Sequence, residues 1–354
     1  MKIGIMLPNW IGDVAMATPT LRALRQHFAA AELIGVIRPY AAEVLAGTPW
    51  LDKTLTWEHH GSGSTAKSWR MLWELRREKI DTWLVLRNSC SSALMARLSG
   101  ARRVLGYAYP FRSLLLTDRL QPPRDGKKLL PISAVDYYLQ LAELLGCETK
   151  SSSKQLQLAT LPADEMLADD IWQRLRLPEG DQVVGLNLGG AYGSAKRWPT
   201  SHGVELASRL ARELNQGVLV LCGPNEREST RELVRQVNHP LVQSLADQEL
   251  SIGLSKACIA RLRLLVTTDS GPRHLAAGLG TPTITLFGST DPTWGENYQT
   301  DAIKLRLSLD CSPCGKRVCP LGHHRCMQDL SVQQAFQAIV TQIAAEKTSQ
   351  PKAA

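Results

Sequence analysis

Residues Arg263–Pro292 read RLLVTTDSGPRHLAAGLGTPTITLFGSTDP. The branched apolar run Leu264–Val266 ends in a Thr-Thr-Asp corner, the pattern of a buried strand. Ser270 and Gly271 permit a tight turn, and Pro272 suits the first position of a helix, where its missing N–H costs nothing. The spacing predicts a helix over Arg273–Leu279, stopped at Gly280 by a left-handed cap, and a second strand over Thr283–Phe287. A strand, a glycine turn and a helix start leave free backbone N–H groups aimed at the loop. With the helix dipole they form a site for an anion, most often a phosphate. An ordinary βαβ unit with nothing bound has the same spacing, and the spacing does not separate the two.

Outward from this unit, strand and helix alternate in both halves, so the chain reads as α/β with parallel sheets. In the first half, strands are expected over Lys2–Leu7, Glu32–Ile37, Asp52–Trp57 and Thr82–Leu86. Helices are expected over Val14–Phe28, with a kink or restart after Thr18 because of Pro19, and over Tyr40–Leu45, Ala66–Lys79 and Ala134–Leu145. His59–Thr65 reads as a flexible loop. Ala108–Ser133 shows no clean period and reads as a surface excursion. The polar stretch Glu148–Asp164 marks the domain boundary. In the second half, strands Val183–Leu188 and Gly217–Leu221 alternate with helices His202–Leu214, Glu226–Val237 and Leu250–Leu262, and Val332–Ala345 reads as a last helix.

At 354 residues the chain exceeds one ordinary core, and two domains are expected. Hydrophobic content of 44% and charged content of 21% fit a globular protein in water. MKIGIMLPNW opens directly as a strand, without the parts of a signal peptide, and no apolar run approaches the ~20 residues of a membrane span. A cytoplasmic location follows as the expectation. The net charge of +8 favours nucleic acid, anionic headgroups or a polyanionic substrate. Without zinc-finger spacing or a ribonucleoprotein motif, nucleic acid is not expected as a partner.

No G-x-G-x-x-G follows either half's first strand, so a dinucleotide cofactor is not expected. Gly190–Lys196 lacks the G-K-[ST] ending of a P-loop, and no D-x-D metal clamp is present. The first βα turn, PNWIGDVAMATPTLRAL (Pro8–Leu24), places Gly12 where backbone must approach closely and Asp13 where a helix begins. Asp13 is then either an N-cap or a general base at the mouth of a crevice. Cys311, Cys314, Cys319 and Cys326 are spaced C-x2-C-x4-C-x6-C with His323 and His324 between the last two. That spacing admits structural zinc, although free reduced thiols are the commoner condition in cytoplasm, and no metal is expected. Cys90, Cys147, Cys222 and Cys258 read as core residues.

Three segments, PNWIGDVAMATPTLRAL, GAYGSAKRWP (Gly190–Pro199) and DSGPRHLAAGLGTPTITLFGSTDP, resemble the hallmark segments of the bacterial lipopolysaccharide heptosyltransferases. The N-W-I-G-D form and CSPCGKRVCPLGHHRCM (Cys311–Met327) are similar to the type II enzymes. The resemblance runs from residue 1 to about 345. It implies a GT-B fold, two Rossmann-like parallel-sheet domains facing a central cleft: an acceptor-binding domain over 1–160, an ADP-sugar-binding domain over 161–330, a C-terminal helix over 331–346 and a disordered tail over 347–354. It further implies inverting transfer of a heptose from ADP-heptose to the first inner-core heptose of a lipid A–Kdo precursor. No cofactor is required, and contact with the cytoplasmic face of the inner membrane is peripheral.

Carried over residue by residue, the resemblance puts the catalytic base on Asp13 and a phosphate-binding cation on Lys196. It puts the donor loop on Asp269, Ser270, Gly271 and His274, with Gly12 and Gly190 beside the donor. The chemistry agrees: inversion needs a carboxylate to take the acceptor proton, and the departing diphosphate needs cations and N–H groups in place of a metal. Glu226 is a candidate for the ribose hydroxyls, with Glu228 its competitor. Asp291 fits a helix cap better than a donor contact. Trp10, Arg102, Arg103, Lys127 and Lys128 are acceptor candidates, the cations for carboxylates and phosphates. Another nucleotide sugar, or a non-catalytic nucleotide-sugar-binding role, remains compatible with the motifs.

Overall fold

A computed structural model describes residues 1–58, 64–126, 128–149, 154–190 and 192–349. The chain divides into two compact units, Met1–Ala159 with Thr293–Tyr298, and Thr160–Pro292 with Gln299–Ala354.

The first unit runs β1 (Lys2–Met6), α1 (Ile11–Met16), α2 (Thr18–His27), β2 (Glu32–Ile37), α3 (Pro39–Ala42), β3 (Lys53–Thr56), α4 (Ser64–Glu78) and β4 (Thr82–Val85). It continues with α5 (Cys90–Leu98), β5 (Arg103–Tyr107), β6 (Asp118–Leu120), the short hairpin β7 (Arg124–Asp125) and β8 (Lys128–Leu129), and α6 (Ala134–Glu143). Strands β3-β2-β1-β4-β5-β6 form one parallel sheet. Helices cover both faces, which is why β1 and β4 read as unbroken apolar runs instead of alternating ones.

The second unit runs α7 (Pro162–Arg174), β9 (Val183–Asn187), α8 (Thr200–Glu213), β10 (Gly217–Val220), α9 (Arg227–Val237), β11 (Val242–Ser244), α10 (Ile252–Ala260) and β12 (Leu264–Thr268). Then come α11 (Gly271–Leu279), β13 (Thr283–Phe287), β14 (Ala302–Arg306), α12 (Arg325–Gln328) and α13 (Val332–Ser349). Its parallel sheet has the order β11-β10-β9-β12-β13-β14. Each sheet therefore runs outward from its first strand and reverses beside its fourth. Ligands of such sheets bind at the carboxyl ends of the strands where the order reverses, between β1 and β4 and between β9 and β12. This pair of Rossmann-like domains is the GT-B construction.

The first helix restarts at Thr18 as Pro19 requires, and Thr18 Oγ1 donates to the Ala15 carbonyl at 2.7 Å where the two helices meet. Several expectations need correction. Ala108–Ser133 is not irregular: it holds β6, the sixth strand of the sheet. Its apolar period is broken by Arg112, which is fully buried and donates to the carbonyls of Tyr107, Val85 and Arg87. Within the range 161–330, Thr293–Tyr298 groups with the first unit, tied there by Ser133 Oγ donating to the Glu296 carbonyl at 2.7 Å and by the Tyr298–Asp136 hydrogen bond. The C-terminal helix does not stand apart, since Val332, Ala335, Phe336 and Ile339 pack into the second unit's core. It extends to Ser349, beyond the start of the expected tail. Residues 350–354 of that tail, and 59–63 of the expected loop, lie outside the described residues. Cys90 is exposed at the start of α5 and Cys222 is half-buried, so only Cys147 and Cys258 of the four are core thiols. Among the described residues no helix is long and apolar enough to cross a membrane.

Candidate active site

At the carboxyl end of β12 the chain turns through Asp269 into Ser270, the N-cap of α11, with Pro272 in the helix's first turn and Gly280 as its left-handed cap. Ser270 is held from the neighbouring strand end: Asn187 Nδ2 donates to its Oγ at 3.0 Å and to Thr267 Oγ1 at 3.1 Å. Asp269 is buried in a ring of donors. Lys196 Nζ donates to its Oδ2 at 2.9 Å and to its carbonyl at 2.6 Å, Thr290 Oγ1 to Oδ2 at 2.7 Å, and Arg273 to Oδ1 at 3.1 Å. Burial alone would raise this carboxyl's pKa, but the charges of Lys196 and Arg273 outweigh it and bring it down to about 2. His274 is driven the other way. Burial, then the Arg273 charge, lowers its imidazole to about 3, so it is neutral at physiological pH. Its Nδ1 has no hydrogen-bond partner among the described residues.

The loop after β9 supplies the other wall. Glu226 clamps its base, accepting from Gly190 N at 2.8 Å through one oxygen and from Gly223 N at 2.8 Å through the other. A Cβ on Gly189 would sit 1.9 Å from that carboxylate. Beyond it, a 3-10 turn over Ser194–Lys196 aims the lysine inward. The turn is buttressed from the cysteine-rich segment: Ala195 N donates to the Arg317 carbonyl at 3.0 Å, and Tyr192 Oη to the Gly315 carbonyl at 2.8 Å. Gly193, at φ +154, is required there because a Cβ would lie 2.3 Å from the Arg317 oxygen.

In the first unit the matching position lies between β1 and β4. Trp10, exposed and extended, is the N-cap of α1. Asp13 is thus the third helical residue and not a cap, which removes the capping alternative. Gly12 beside it is buried. The carboxylate is half-buried, and after burial itself its charge helps push the Tyr138 hydroxyl pKa upward. From the end of β4 comes Arg87, only 5% exposed. Its Nε donates to the Leu7 carbonyl at the end of β1, and its two terminal nitrogens have no hydrogen-bond partner among the described residues. Burial, then the charge of Arg38, lowers its pKa to about 10. Sequence reading missed Arg87, although an arginine directly after the apolar strand 82–86 and before an Asn-Ser turn was the available signal.

A family model described as glycosyltransferase family 9 (heptosyltransferase) matches residues 68–325. The chain belongs to this family. It is 28% identical over 347 residues to Campylobacter jejuni lipooligosaccharide heptosyltransferase 2, covering 95% of this chain and 97% of that one. Among solved structures, a glycosyl transferase family 9 protein from Veillonella parvula superposes with TM-score 0.84 at 23% identity, over 97% of each chain. The Escherichia coli ADP-heptose lps heptosyltransferase II does so with TM-score 0.79 at 23% identity, covering 98% of this chain and 100% of that one.

Within this family 9 glycosyltransferase, the predicted donor residues Gly190, Lys196, Glu226, Asp269, Ser270, Gly271 and His274 converge on one crevice, whereas Gly12, also predicted beside the donor, lies in α1 of the first unit. Their division of labour differs from expectation. Asp269 and Glu226 direct their carboxylates at protein donors, and His274 is buried beneath the loop. Glu228 is exposed and pairs with Arg231. The acceptor candidates scatter. Arg102 precedes β5 and Arg103 begins it, so both lie at the amino end of the sheet, opposite to Asp13, and Arg103 is paired with Asp118 at 2.9 Å. Lys128 is exposed on the β7–β8 hairpin, and Lys127 lies outside the described residues. The four clustered cysteines line one small cavity with His323. Among the described residues, no group of three or more His, Cys, Asp or Glu side chains is placed to hold a metal ion.

Proposed function

We propose that this enzyme transfers a heptose, with inversion, from ADP-L-glycero-D-manno-heptose to the first inner-core heptose of a lipid A–Kdo lipopolysaccharide precursor. The type II assignment is supported by the Campylobacter relative named heptosyltransferase 2 and by the fold shared with the enzyme described as an ADP-heptose lps heptosyltransferase II.

In this reading the crevice between β9 and β12 binds ADP-heptose. The N–H groups at the start of α11 meet the diphosphate, where a helix N-terminus favours negative charge. An ammonium has three N–H donors. Lys196 gives two to Asp269, and the third serves the diphosphate. Asp13 takes the proton of the acceptor hydroxyl as that oxygen bonds to the anomeric carbon. The bond from that carbon to the diphosphate oxygen breaks, and ADP leaves with the electron pair. Lys196 and the helix-start N–H groups carry the charge that develops, so the reaction runs without a metal. Arg87 receives an anionic group of the acceptor, in place of the role given to Arg102 and Arg103. Work at the cytoplasmic face of the inner membrane follows from a water-soluble donor and a lipid-anchored acceptor.

The observation that carries the reading is the convergence of Lys196, Asp269 and Ser270 at the point where the strand order reverses. Incubation with ADP-heptose and an acceptor ending at the first heptose tests it. Mass spectrometry should show addition of one heptose, and NMR should show the anomeric configuration inverted relative to the donor. Retention, or turnover only with a different nucleotide sugar, refutes it.

A further inference from the structure

Helices α4 and α5 form one layer over the first unit's sheet, with Met71, Leu72 and Leu75 of α4 and Ala93 and Ala96 of α5 in a single apolar cluster. The outer side of that layer is unusual. On α4, Trp69 and Trp73 are four residues apart and share one face; the two indoles are 67% and 57% exposed, whereas Met71, Leu72 and Leu75 are buried. The Arg77 guanidinium stands 3.2 Å above the Trp73 ring. Arg76 Nε donates to the Leu98 carbonyl at 2.9 Å, tying the end of α4 to the end of α5. Next along the layer, α5 exposes Leu94 and Leu98, and the adjoining turn holds Phe111 and Leu114 at 87% and 86% exposure. Phe111 sits at φ +61, a conformation unfavourable to a bulky residue, and its ring nonetheless projects into solvent.

Single exposed apolar residues are ordinary, but a contiguous set rimmed by charge marks a contact surface. The rim is cationic: Arg70, Arg76, Arg77 and Arg97 are exposed on these two helices. The acidic residues of α4, Glu74 and Glu78, are both half-buried, and Glu78 is already paired with Lys53 and Lys2. Indole rings settle at the boundary between headgroups and acyl chains, while arginines extend to phosphate.

We propose that the outer side of α4 and α5, with Phe111 and Leu114, docks on the surface of an anionic lipid bilayer, Trp69 and Trp73 entering the interface and the arginines meeting headgroup phosphates. This surface is separate from the transfer chemistry, and its test uses neither donor nor acceptor. Full-length protein is sedimented with vesicles of phosphatidylethanolamine and phosphatidylglycerol, or of phosphatidylcholine alone. Binding to the anionic vesicles is expected, weakened by salt, and W69A/W73A should reduce it about tenfold or more. Circular dichroism and ADP binding of the variant serve as controls for folding. Brominated lipid should quench wild-type tryptophan fluorescence more than that of W69F/W73F. Equal vesicle binding by wild type and W69A/W73A overturns the proposal, as does absence of wild-type binding. So does a wild-type dimer, seen by sedimentation, that W69A/W73A dissolves without any change at vesicles.

Discussion

The two crevices share a strand order and differ in how their polar groups are satisfied. Between β9 and β12, Lys196 and Thr290 are bonded to Asp269, Asn187 is bonded to Ser270 and Thr267, and Glu226 closes the loop behind them. Between β1 and β4, Arg87 is buried with two terminal nitrogens lacking partners among the described residues. A buried donor without a partner is costly, so the second arrangement gains most from a ligand that completes it. In the proposed function, one crevice is preorganised for a fixed feature, a diphosphate, and the other is completed by the acceptor. The same topology thus serves two kinds of recognition, and the difference lies in the side chains at the carboxyl ends of the strands.

Substitutions that treat the two crevices separately can break this contrast. The largest effect is expected from Asp13→Asn, which should lower kcat about a thousandfold and leave ADP affinity within twofold, as measured by calorimetry. An unchanged kcat would remove the base assignment. Lys196→Met should weaken ADP binding about thirtyfold, the worth of roughly 2 kcal/mol for a charge-assisted hydrogen bond. It should also lower the stability of the second unit, because Asp269 is left with Arg273 and Thr290. A loss of stability with unchanged ADP affinity would make Lys196 purely structural. Arg87→Lys should raise the KM for acceptor about tenfold with donor affinity unaltered. A KM effect on donor would erase the distinction between the crevices.

The smallest effect concerns pH. His274 has a folded pKa below its unfolded one, so the folded state binds fewer protons between about 3 and 6.5. Its contribution to stability is complete above the unfolded value and falls as pH drops through this window, with a limiting slope of about 1.4 kcal/mol per pH unit. Asp269, lowered to about 2, behaves alike at more acid pH, retaining its contribution above the unfolded carboxylate value and losing it below. His274→Gln should flatten the decline between pH 6 and 4 in urea titrations. A slope unchanged from wild type would exclude His274 as its source.

Much of the second unit's centre is legible in the sequence because local rules act alone there. The strand Thr283–Phe287 and the Gly280 cap lie where apolar runs and glycine chemistry put them. β6 escapes notice because the turn before it is held by a buried arginine bonded to carbonyls, which no hydrophobic period reports. β14 escapes because an edge strand, AIKLR, is only half covered. The acceptor cations mislead for a different reason. A run such as Arg102-Arg103 announces charge but not which end of a sheet carries it, and strand direction places it away from Asp13. Arg87 becomes meaningful only once β4 is known to neighbour β1.

The central claim, that the nucleotide belongs to the preorganised crevice, is tested most directly by hydrogen exchange of the full-length protein with and without ADP. Protection should concentrate at residues 187–190, 192–196, 223–226 and 268–274, with residues 8–13 and 86–89 unchanged. Protection at 8–13 and 86–89, with none at 268–274, would contradict it.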